Sequence, residues 1–157
     1  MTAARIQSRS GQLIYPELPV FVALSAGGGT DGMTLTTTIS ELTLFTNVSI
    51  NQGNHYNSST CRFTCPVAGI YEFGMNFIAG NANDVYRFHF YKNGVAQNPQ
   101  LRMDTSDTTN LDYETAFISI YLQCVKGDYV SVYGKSDGGS DKYSTIAYDY
   151  FQGRLIG

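Results

Sequence analysis

Basic residues are few and scattered: ten Lys and Arg stand against thirteen Asp and Glu in 157 residues, for a formal net charge of -3. The clustered positive footprint that a phosphate backbone requires is missing, which excludes DNA and RNA as partners. Also absent are an apolar run near the roughly 18 residues that cross a bilayer and the Lys- and Arg-rich amphipathic helix of a membrane-surface binder. Membrane insertion is not expected. Positions 1–16 contain no apolar stretch of the kind a secretory leader needs, so a leader has been removed or none existed.

Histidine is nearly lacking, with His55 in a polar loop and His89 beside Arg87 and Tyr91, and neither belongs to a motif. Gly-x-Ser-x-Gly, Walker and His-Glu-x-x-His patterns are missing too. Nothing assembles a nucleophile, a base and an orienting group, so no catalysis and no cofactor are expected. Cysteine is sparse and odd in number: Cys61, Cys65 and Cys124. An odd count argues against a purely internal disulfide framework. On an extended segment Cys61 and Cys65 would hold their Cα atoms roughly 13 Å apart, beyond the ~7 Å reach of a bridge. Their spacing also differs from a zinc knuckle, so no metal is assigned and all three are expected as buried thiols.

Helical periodicity is absent as well, and period-two alternation takes its place. Along Val85 to Lys92, Tyr86, Phe88 and Phe90 share one face and Arg87, His89 and Tyr91 the other, and Asn93-Gly94 marks the turn that ends the strand. From Gly69, the residues Tyr71, Phe73, Met75 and Phe77 form a core face opposite Ile70, Glu72, Gly74 and Asn76. Ala116 to Val125 and Tyr129 to Tyr133 read as a hairpin joined by Lys126, Gly127 and Asp128. In its first strand Ile118, Ile120, Leu122 and Cys124 oppose Phe117, Ser119, Tyr121 and Gln123. The face with Phe117 and Tyr121 is too aromatic to be simply solvated, which points to burial against another molecule. Shorter strands are expected at Val20 to Leu24, Thr34 to Ile39, Leu44 to Ile50, Arg62 to Thr64 and Ile146 to Ile156. Short strands with Gly, Asn and Ser punctuation imply an all-β sandwich or barrel. Residues 1–16 read as an arm and 17–157 as one domain.

Ordered motifs add a resemblance. Phe45-Thr46-Asn47-Val48, Asn51, Gly53, Tyr56-Asn57 and Phe63-Thr64-Cys65-Pro66-Val67-Ala68-Gly69-Ile70-Tyr71-Glu72-Phe73 are similar to the signature of the complement C1q globular-head family. Tyr91-Lys92-Asn93-Gly94, Gly127-Asp128 before Val130 and the closing Phe151-Gln152-Gly153-Arg154-Leu155-Ile156 continue it, so the likeness covers about residues 19–157. Cys61 departs from a glycine common in the family. The absence of a Gly-X-Y stalk counts against a complement-like role. The resemblance implies a ten-strand, two-sheet C1q/TNF jelly roll that forms a homotrimer with its inner sheet on the threefold axis. Ile70, Glu72, Gly74, Phe117, Ser119, Tyr121 and Phe151 are then the expected trimer face. Glu72 should need a cation from a neighbouring copy, water, or a place at the rim, because three carboxylates near one axis repel.

Outer loops at Ala79 to Val85, Gln100 to Tyr113 and Lys135 to Tyr143 are the expected receptor-binding surface, with Asn81, Asn83, Asp104, Asp107, Asn110, Tyr113, Asp137, Asp141 and Tyr143 as contacts. Rings supply rigid contact area and amides adaptable hydrogen bonds for a glycan or protein ligand. Asp104 with Asp107, or Asp137 with Asp141, are read as solvated loop acids in preference to a calcium site. The arm carries Arg5, Ile6, Arg9, Leu13, Ile14 and Tyr15, suited to docking on other virion proteins. These features lead to the expectation of a non-catalytic module on a bacteriophage virion surface, a fibre or spike head or a knob that contacts the host. The alternatives are a capsid decoration trimer and a secreted C1q-like ligand or lectin. In the last case Asn47-Val48-Ser49 and Asn57-Ser58-Ser59 are glycosylation patterns.

Overall fold

A computed structural model describes residues 6–7, 13–14, 18–26, 34–79, 84–105, 114–138, 141–142 and 149–157. Every regular element among them is a strand. In chain order they are β1 (Ile6–Gln7), β2 (Leu13–Ile14), β3 (Val20–Leu24), β4 (Thr34–Leu35), β5 (Ser40–Glu41), β6 (Asn47–Gln52), β7 (Tyr56–Asn57) and β8 (Arg62–Thr64). Then follow β9 (Gly69–Ala79), β10 (Val85–Lys92), β11 (Val95–Ala96), β12 (Leu101–Asp104), β13 (Glu114–Cys124), β14 (Tyr129–Ser136), β15 (Asp141–Lys142) and β16 (Tyr150–Leu155).

One antiparallel sheet has the order β13, β9, β16, β3, β6. The other runs β11, β10, β14, β8, β7, with β12 added beside β10 and β5 beside β14, for seven strands. The sandwich expected from the alternation, and the jelly roll that the resemblance implies, are therefore present, with short additions that raise the strand count above ten. β1 and β2 pair with each other inside the expected arm, and β4 pairs with β15.

The core between the sheets is built from one parity of each strand. Phe21 stacks on Tyr56 at 4.6 Å and on Phe63 at 4.8 Å, and Phe77 stacks on Phe88 at 3.7 Å. Burial of each ring removes roughly 150 to 250 Å² from water and is the main stabilising contribution here. Two buried tyrosine hydroxyls are partnered by the backbone: Tyr56 donates to the Phe45 carbonyl at 2.7 Å and Tyr71 to that of Val67 at 2.9 Å. Gly153 lets β16 lie against this packing, because a Cβ there would stand 2.5 Å from the Phe73 ring. At the β10–β11 turn Asn93 and Gly94 both have positive φ, 52° and 78°, as the Asn-Gly signal predicts.

Several boundaries differ from the sequence reading. The strand expected at Thr34 to Ile39 ends at Leu35, because the Thr36 hydroxyl bonds the Thr38 carbonyl and N–H, and this local pairing competes with a ladder. The one expected from Leu44 begins at Asn47, since the Leu44 carbonyl is taken by the N–H groups of Ala26 and Thr46. The last strand starts at Tyr150, and positions 146–148 lie outside the described residues. Cys61 is not extended but sits in a turn with φ 52°, ahead of β8. All three cysteines are buried and unbridged.

Candidate functional site

The outward face of the five-stranded sheet is the most distinctive surface. Register places Leu24, Tyr150, Asn76 and Phe117 in one row across β3, β16, β9 and β13. Val22, Gln152, Gly74 and Ser119 form the next, and Val20, Arg154, Glu72 and Tyr121 a third. Gln123 faces Ile70 beyond them. Phe117 is 53 % exposed, Tyr121 63 % and Ile70 42 %. Phe117 leans toward Tyr150, with ring centroids 6.4 Å apart, and covers Gly74, where a Cβ would meet its ring at 3.3 Å. Beside it lies a depression of about 250 Å³ lined by Val20, Phe21, Val22, Glu72, Gly74, Gln152, Gly153 and Arg154.

Charge on this face is matched within the chain. The Arg154 guanidinium donates through Nε to Glu72 Oε2 at 2.8 Å, and Nη2 stands 2.8 Å from the same oxygen. The Tyr121 hydroxyl donates to Glu72 Oε1 at 3.4 Å. Glu72 thus has a cation of its own, where the sequence led us to expect a neighbour's arginine, water or rim exposure.

Six of the seven residues expected on this face lie there. Phe151 is the exception: it pairs in register with Met75, is fully buried, and packs edge-on against Phe21 at 4.8 Å. The outward positions of β16 are Tyr150, Gln152 and Arg154, which sequence reasoning missed. The signal was available, since Tyr, Gln and Arg share one parity of β16 and Phe and Gly the other.

The outward face of the seven-stranded sheet is polar and aromatic. Tyr91 and Tyr133 stack with centroids 3.8 Å apart, and His89 meets Tyr91 edge-on. Arg62 lies over the Tyr129 ring at 4.5 Å and clamps Glu41 with two hydrogen bonds of 2.8 and 2.7 Å. That fork holds the Glu41 carboxyl below its usual range, and burial lowers the pKa of His89. His89 and His55 have no nucleophile arranged beside them among the described contacts; His55 packs edge-on against Phe63.

Of the expected loop contacts, Asp104 ends β12 and pairs with Arg102 at 2.6 Å. Asp137 accepts from Arg87 at 2.8 Å and stands 2.8 Å from Lys135, which together bring its pKa to about 2. Asp141 belongs to β15 instead of a loop. Asn81, Asn83, Asp107, Asn110, Tyr113 and Tyr143 lie outside the described residues, as do Arg5, Arg9 and Tyr15 of the arm. The backbones of Ile6, Leu13 and Ile14 are in β1 and β2. Among the described residues no cluster of three or more His, Cys, Asp or Glu is arranged for a metal.

Residues 28–156 match the family model described as C1q domain. Among curated proteins the chain is 31% identical over 86 residues to mouse and human complement C1q tumor necrosis factor-related protein 2. That match takes in 55% of this chain and 27% and 28% of the relatives. Mouse complement C1q tumor necrosis factor-related protein 7 is 29% identical over 115 residues, 72% of this chain and 37% of that protein. The chain therefore spans well under half the length of these relatives. The globular domain of zebrafish complement 1qA superposes with a TM-score of 0.63 at 17% identity, covering 88% of this chain and 98% of that one. Murine APRIL gives 0.62 at 9% identity, covering 89% and 100%. The Eiger TNF of S. frugiperda gives 0.60 at 10%, covering 88% and 94%.

Proposed function

The chain belongs to the C1q domain family, and from that premise we propose that it is an extracellular, non-catalytic binding module that works as a homotrimer. The observation that carries this is the outward face of the five-stranded sheet, where Ile70, Phe117 and Tyr121 are exposed together. Rings of that size contribute several kcal/mol each when buried, before ordering costs, and three copies around an axis supply enough area for a stable assembly. The Glu72–Arg154 pair supports the reading, because three such faces meet as neutral pairs and not as three bare carboxylates.

Trimer formation through this sheet leaves the seven-stranded sheet and the loop ends for the ligand. The Tyr91–Tyr133 stack, with Arg62 over Tyr129, offers rigid aromatic area flanked by a guanidinium, suited to a protein or glycan surface. The loops around residues 79–85, 100–113 and 135–143 remain the proposed rim of that surface. Relatives named for complement C1q favour the extracellular alternative over the virion roles of fibre head, knob or capsid decoration, for which the comparisons supply no support. Sedimentation equilibrium tests the assembly: a mass three times the 17.3 kDa of the chain is expected, and a monomer at micromolar concentration overturns it.

A further inference from the structure

Two of the three cysteines are placed to react with each other. Cys65 follows β8 of the seven-stranded sheet, and its backbone is clamped to the turn after β13: its N–H donates to the Asp128 carbonyl at 2.7 Å, and its own carbonyl accepts from Gly127 N–H at 2.8 Å. Cys124 ends β13 of the five-stranded sheet, opposite Gly69, just ahead of that same turn. Both side chains are wholly buried in one core cluster, at the same end of the sandwich as that turn. Cys61 is otherwise engaged, with its thiol directed at the Ser58 carbonyl at 3.6 Å and next to Tyr56.

We propose that Cys65 and Cys124 are a disulfide-forming pair that ties the two sheets together in an oxidising compartment, leaving Cys61 as the free thiol. The backbone bonds to Gly127 and Asp128 fix Cys65 beside the turn that follows Cys124, so that closing to a bond of about 2.0 Å needs side-chain adjustment and no new strand pairing. The Lys92 ammonium beside Cys124 favours that thiolate as the entering nucleophile. The neighbouring Cys65 thiol and Lys92 hold Cys124 below its ordinary pKa, whereas Cys124 and burial push Cys65 up. Lys92 is anchored there by its bond to the Gln123 carbonyl at 3.0 Å.

The oxidant is a small-molecule or enzyme disulfide. The Cys124 thiolate attacks one of its sulfurs and expels a thiolate; the Cys65 sulfur, giving up its proton, then attacks Cys124 Sγ in the mixed disulfide and expels the second thiol. Two cysteine thiols lose two electrons and two protons in all, and the oxidant becomes two thiols. Full burial places this exchange during folding or in an opened state of the β13–β14 hairpin.

The chain is refolded in a mixture of reduced and oxidised glutathione, then denatured, alkylated without reductant and weighed. A single alkyl adduct, on Cys61, is expected, with a mass otherwise lower by two hydrogens and a Cys65–Cys124 cross-linked peptide after proteolysis. Cys61→Ser keeps the linkage. Three adducts, stable glutathione adducts on Cys65 or Cys124, or a linkage through Cys61 overturns the pair. The readout is made on denatured chains, so it does not depend on whether the trimer forms.

Discussion

Arg154 and Glu72 stand directly opposite each other on β16 and β9, and the guanidinium approaches the carboxylate at 2.8 Å in rows that otherwise carry no charged residue. The two lie 82 residues apart in the chain, yet the ladder makes them neighbours. With Arg154 64% exposed, the pair adds little to the stability of a single copy, since exposed ion pairs contribute about 0 to 1 kcal/mol. Its effect falls on association, because it removes the charge that would keep three faces apart.

Arg154→Ala therefore leaves folding nearly unchanged and weakens the proposed trimer by roughly tenfold, about 1.4 kcal/mol. Adding Glu72→Gln should restore association. Sedimentation equilibrium on both variants checks this; equal trimer stability in all three proteins would remove Glu72 from the interface.

Phe117 and Phe151 separate surface from core. Phe117→Asp or Tyr121→Asp places a charge on the exposed face, with monomer or aggregate expected by light scattering. Phe151→Ala opens a void among Phe21, Phe45 and Tyr56 and should cost about 3 to 5 kcal/mol in denaturant unfolding. Dissociation caused by Phe151→Ala at unchanged unfolding stability would reverse the assignment.

Asp137 sets an acid dependence. The Arg87 and Lys135 cations lower its pKa to about 2. A depressed carboxylate stabilises the fold fully above the unfolded value of about 4 and loses that contribution as pH falls toward 2. The stability gap between the native chain and Asp137→Asn should accordingly be present near pH 6 and close below about pH 2, and an NMR titration should place the carboxyl midpoint at about 2. A gap that persists unchanged at the acid end would mean the variant acts through packing.

Extracellular placement makes a chemical prediction at Asn47 and Asn57. Both are exposed, on β6 and β7, and each opens an Asn-x-Ser pattern. Protein secreted from eukaryotic cells should carry glycan at one or both, seen as a mass loss on deglycosylation. Material secreted with both sites bare would count against that placement.

Much of the architecture was legible before any coordinates. Strand Val85–Lys92, the alternation from Gly69 and the Asn93-Gly94 turn can be read directly, because side chains alternate sides every residue and the turn demands positive φ. Six of the seven expected residues on the candidate face follow from the same parity. Phe151 did not: Tyr150–Leu155 carries an aromatic on each side, Tyr150 and Phe151, so the inward one stays ambiguous unless Gly153, which must share its side to pass Phe73, is used as the marker. The strand breaks at Thr36 and Leu44 were hidden because they depend on competing hydrogen bonds.

What the residues determined alone is local: which segments extend, which side of each is apolar, and where the chain turns. Tertiary structure decided which distant residues meet. Arg154 beside Glu72, Arg62 on Glu41 and Cys65 on the Gly127–Asp128 turn each depend on strand order and register. Those arise only when the two sheets close over a shared core, because a ladder joins residues through space regardless of their separation along the chain.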